Sequence, residues 1–79
     1  MSNKEKYDKV FMESLSVKPE QLNESLVYNS VTTWDSVGHM VMMASLEEAF
    51  DIMMDTEDII AFSSYPKGME ILGKYGVQF

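Results

Sequence analysis

Cysteine is absent from this 79-residue chain, so neither a disulfide framework nor a thiolate metal site can hold it together. A single histidine, His39, excludes an imidazole cluster. Proline occurs twice and glycine four times, and no low-complexity segment, repeat or flexible linker stands out. No apolar run is long enough to span a bilayer, and the opening stretch Met1 to Val10 has no continuous apolar core of the kind a signal sequence needs. Basic residues are also scarce. Six Lys and Arg stand against thirteen Asp and Glu, and the formal charge of −7 repels phosphate backbones and anionic lipid surfaces. Nucleic-acid and membrane partners are therefore disfavoured, and a cytoplasmic location is expected. The acidity either calls for basic docking surfaces on protein partners or simply keeps a small domain soluble.

What remains is enough apolar matter for one core. Hydrophobic residues make up 46% of the chain, which argues against wholesale disorder, and residues 1–79 are read as a single domain. Tyr7, Val10, Phe11 and Leu15 recur at helical spacing among Lys and Glu, predicting a helix over 3–15. Pro19 and the polar residues up to Thr33 predict a long connection, which Leu22, Leu26, Val27, Tyr28 and Val31 would pin across the core. A second helix is predicted over 36–50 behind an Asp35 N-cap, with His39, Met42, Met43, Leu46 and Phe50 on the core face and Val37, Val41, Ser45 and Glu48 opposite. A short third helix is predicted over 56–61, with Glu57 and Asp58 in its first turn complementing the helix dipole. A last one starts at Ser64-Tyr65-Pro66 and is ended by Gly76. The interior Gly68 and Gly73 each cost about 1 kcal/mol relative to alanine, so this last helix must rely on packing. The predicted fold class is all-α, with four helices, a long first loop and a short third helix.

The chemically informative segment is Trp34-Asp35-Ser36-Val37-Gly38-His39-Met40. Ser36 falls in the first turn of the second helix, where free N–H groups and the positive end of the dipole favour a phosphate ester. Asp-Ser is also an ordinary way to start a helix, so these two residues alone are better read as a cap than as a modification site. A second match, Leu46-Glu47-Glu48-Ala49-Phe50-Asp51-Ile52, follows at a fixed distance. With Asp35-Ser36-Val37, it resembles the acyl carrier protein family, in which an Asp-Ser-Leu or similar tripeptide precedes a Leu-Glu-Glu-x-Phe-Asp helix end. The helix order resembles the family plan over essentially the whole chain.

That resemblance implies a four-helix bundle of acyl-carrier type and a non-enzymatic role. 4'-Phosphopantetheine would be joined covalently to Ser36, with Asp35 supporting. Its terminal thiol would carry acyl or aminoacyl groups as thioesters in fatty-acid or secondary-metabolite biosynthesis. The implied partners of this monomer are a phosphopantetheinyl transferase, a loading enzyme and acyl-transferring or acyl-modifying enzymes. Their expected docking residues are Val37, Val41, Ala44, Glu47 and Glu48. Fatty-acid carriers of the family generally place acidic residues two and five positions after the serine; Gly38 and Val41 stand there instead. Together with Trp34, this points to a specialised standalone carrier with dedicated partners.

Met40, Met42, Met43, Met53 and Met54 are read first as core filler and second as the lining of an expandable acyl pocket. Two other functions compete: a small helical interaction module without a prosthetic group, and a serine hydrolase built on Ser36 and His39. One helical turn cannot supply a converging triad and oxyanion hole, which sets the hydrolase aside. His39 is expected at the edge of the core or beside the arm.

Overall fold

A computed structural model describes residues 2–79, which form four α-helices and one 3-10 turn, in the order α1 (Asn3–Leu15), the 3-10 turn Pro19–Gln21, α2 (Ser36–Phe50), α3 (Thr56–Ala61) and α4 (Tyr65–Gly73). Extended pairing among the described residues is confined to an isolated antiparallel bridge between Val27 and Ser64. The described residues are mostly helical, consistent with the all-α class that the periodicities predict. α1 opens on a capping box in which Ser2 Oγ accepts from the Glu5 N–H at 3.1 Å and Glu5 Oε1 accepts from the Ser2 N–H at 3.1 Å. It buries Tyr7, Val10, Phe11 and Leu15 and packs chiefly on α2, whose buried residues are His39, Met42, Met43 and Leu46. Phe50 is only half-buried; at the end of α2 its ring meets the Phe79 ring edge-on and lies under the Lys6 ammonium.

The long connection, residues 16–35, is held by Val17, Leu26 and Trp34, all buried, with Leu22 and Val31 partly covered. Val27 and Tyr28 are covered over most of their surface but do not enter the core. Backbone bonds tie this loop to the link between α3 and α4: Tyr28 N–H to Ser63 O and Tyr65 N–H to Leu26 O, both 2.9 Å. Thr33 Oγ1 donates to Leu15 O at 2.6 Å, fixing the loop's far end to the close of α1.

α4 begins at Tyr65 with Pro66 in its first turn and Ser64 Oγ accepting from the Lys67 N–H at 3.1 Å. Regular helix stops at Gly73, three residues before Gly76, and the chain leaves through a Schellman turn. Val77 N–H bonds Leu72 O and Gly76 N–H bonds Gly73 O, both at 3.2 Å, while Gly76 has φ +87°. The two interior glycines differ. A Cβ at Gly68 would lie 2.2 Å from both Phe62 Cζ and Tyr7 Oη, whereas one at Gly73 meets open space. Gly68→Ala should therefore destabilise by about 1–3 kcal/mol through overpacking, and Gly73→Ala should stabilise by about 0.5–1 kcal/mol. Urea unfolding of the two variants reads the opposite signs.

Asp58, expected only to complement the start of α3, is buried and bridges α3 to the close of α4. Its two carboxylate oxygens accept from Lys74 Nζ and Tyr75 Oη, and these bonds hold its carboxyl below the usual carboxylate value. A folded value below the unfolded one gives stability that is complete above the carboxylate range and is lost as pH falls through it. Asp58→Asn should flatten the decline of unfolding free energy below about pH 5, measured by urea titration at a series of pH values.

Candidate functional site

The start of α2 divides its duties between neighbouring side chains. Asp35 Oδ1 accepts from the Gly38 N–H at 2.8 Å, and Asp35 O takes the first helical bond from the His39 N–H at 2.8 Å. Asp35 thus supplies the cap, leaving Ser36 exposed at the first helical position with its hydroxyl free of that task. The other first-turn amides, those of Ser36 and Val37, have no acceptor within the helix. Gly38 is needed for the loop to approach: a Cβ there would lie 1.9 Å from Thr33 O, a backbone atom. The space that a side chain at position 38 would need is therefore occupied by loop backbone.

Behind Ser36 lies a buried aromatic relay. Trp34, fully buried, donates from its indole Nε1 to His39 Nδ1 at 2.9 Å, and the two rings stack with 12° between their planes. His39 Nε2 lies 2.8 Å from Ile59 O in α3. An indole N–H only donates and a carbonyl only accepts, so His39 is neutral with its proton on Nε2. Both ring nitrogens are engaged away from Ser36, so the histidine joins loop, α2 and α3 instead of facing the serine. Trp34 is a core residue, a role its place in the motif did not disclose.

The hydroxyl of Tyr28 lies 3.3 Å from Ser36 Oγ. Beside this pair, between α2 and α3, is a mostly apolar recess of about 350 Å³ whose lining includes Tyr28, Ser36 and His39 as well as Met40, Ile59, Ile60, Phe62 and Ser63. No family model, curated protein or solved structure matches the chain.

The remaining predicted site residues separate into two groups. Val37 and Val41 are 73% and 54% exposed, Ala44 and Glu48 are exposed on the same helix, and Met40 and Ile60 extend the apolar surface toward α3. Glu47 is half-buried, and its Oε2 accepts from the Met54 N–H at 2.8 Å, closing the turn after α2. The methionines divide as well. Met42, Met43 and Met54 are core, Met53 is 84% exposed, and Met40 alone of the five lines the recess. Tyr28 and Ile60 were the site residues that sequence spacing did not reach, because both depend on how the loop and α3 fold back onto α2.

Among the described residues there is no cluster of His, Asp and Glu able to hold a metal ion. No helix of the described residues is long and apolar enough to cross a membrane.

Proposed function

We propose that this protein is a carrier of acyl-carrier type, a four-helix bundle in which Ser36 is joined to 4'-phosphopantetheine and from which partner enzymes take acyl or aminoacyl intermediates. The observation that carries the reading is the freedom of Ser36: Asp35 performs the capping, and the serine hydroxyl stands exposed beside first-turn amides. The residues fit an anionic ester. The Ser36 and Val37 N–H groups and the helix dipole favour negative charge there. When bound, the arm supplies the thiol that holds cargo as a thioester, which this cysteine-free chain does not itself provide.

Asp35 keeps Oδ1 on the cap and offers Oδ2 to a transferase and its Mg²⁺. Val37, Met40, Val41, Ala44 and Ile60 form the docking face for the transferase, the loading enzyme and the acyl-transferring enzymes, with Glu48 at its far end. The largely apolar character of that face favours dedicated partners over generic fatty-acid enzymes. The same exposed apolar residues favour a second reading, an interaction module without a prosthetic group.

Incubation with coenzyme A, Mg²⁺ and a promiscuous phosphopantetheinyl transferase separates the two. One arm should be added to wild type and none to Ser36→Ala, read by intact mass. No addition with several transferases would leave the interaction module.

A further inference from the structure

Tyr28 is eight positions from Ser36 in the chain, yet its hydroxyl lies 3.3 Å from Ser36 Oγ. Among the described residues, that oxygen is the only hydrogen-bond partner the Tyr28 hydroxyl has. The ring itself is held. It meets Trp34 edge-on at 6.4 Å and His39 edge-on at 5.7 Å, and its backbone N–H is bonded to Ser63 O. With 38% of its surface exposed, the side chain stands between solvent and the apolar recess, and contributes to the wall of that recess. The ring's contacts account for its place in the fold, and the hydroxyl contributes nothing to them.

We infer that Tyr28 is a positioning residue for the arm. Its hydroxyl donates a hydrogen bond to the phosphodiester on Ser36, and its ring turns the arm along the α2–α3 recess. This rests on the carrier reading above. A hydroxyl facing another hydroxyl makes an ordinary bond, whereas facing an anionic oxygen it makes a shorter and stronger one. Tyr28 is thus better matched to the esterified serine than to the free one. Because the ring is fixed by Trp34 and His39, little ordering of Tyr28 itself is needed when that bond forms.

The test uses the full chain loaded with the arm, as wild type, Tyr28→Phe and Tyr28→Ala. Phenylalanine keeps the edge-on contacts, so its melting temperature should match wild type. Its phosphodiester ³¹P resonance should nevertheless move, and the ordered population of the arm, read by NMR relaxation of labelled pantetheine, should fall about fivefold, the effect of one hydrogen bond of ordinary net strength. Alanine should release the arm further. In wild type, nuclear Overhauser contacts should join the Tyr28 ring to the arm's geminal methyl groups, a readout that depends on no variant folding. Unchanged ³¹P and relaxation signals in Tyr28→Phe, or no such contacts in wild type, would overturn the role of Tyr28 while leaving the carrier reading intact. A wild type that accepts no arm would remove both.

Discussion

Trp34→Ala is expected to lower the unfolding free energy by about 3–5 kcal/mol, the cost of deleting a large buried aromatic side chain. A chain of 79 residues typically has a total of about 4–12 kcal/mol, so this one change removes from about a quarter to all of it. The reason is position. Trp34 is fully buried, meets Phe11 and Phe62 edge-on, stacks on His39 and donates to its Nδ1. Trp34→Phe separates packing from hydrogen bonding: it keeps an aromatic ring but leaves Nδ1 buried without a donor, at a cost of about 1–3 kcal/mol. Combining Trp34→Phe with His39→Leu should cost less than the sum of the two single changes, because no orphaned nitrogen remains. Urea unfolding of the four variants gives these values. Additivity of the Phe and Leu changes would show that the indole-to-imidazole bond contributes nothing.

Introducing acidic residues at positions 38 and 41 should have unequal consequences. Gly38→Asp brings a Cβ to within 1.9 Å of Thr33 O, and a backbone oxygen cannot rotate away as a side chain can. The turn must open, at a cost of about 3 kcal/mol, the upper part of the overpacking range. Val41 is 54% exposed, so Val41→Glu should change stability by less than about 0.5 kcal/mol. If Val41 belongs to the docking face, that same change should weaken transfer from dedicated partners while folding is untouched. Thermal unfolding with transfer kinetics on both variants distinguishes the effects. A stable Gly38→Asp protein would refute the packing argument, and unchanged transfer with Val41→Glu would remove Val41 from the face.

The helices were legible because each carries its own signals. The spacing of Tyr7, Val10, Phe11 and Leu15 defines α1, and Asp35 and Ser64 mark the starts of α2 and α4. The position of Ser36 in the first turn of α2 followed from the same local pattern. What could not be read depends on long-range contact. Gly68 looked like a weak point of α4 until Phe62 and Tyr7 were seen to occupy the space beside it. Asp58 looked like a dipole partner until Lys74 and Tyr75 met it across the turn. Glu47, expected on the docking face, also bonds the Met54 amide seven positions away, a contact the motif did not disclose. Tyr28 gave no sign of its place beside Ser36, because that depends on the loop crossing back over α2. A charged side chain in a motif shows which face of a helix it occupies, but not whether a nearby amide has already claimed it.

The most direct test of the carrier assignment is peptide-level mass spectrometry of the protein isolated from its native cell. The account predicts 4'-phosphopantetheine on the peptide containing Ser36, with an acyl or aminoacyl group that hydroxylamine releases as a thioester. A Ser36 peptide found only in its unmodified form, from cells in which other carriers are loaded, would contradict it.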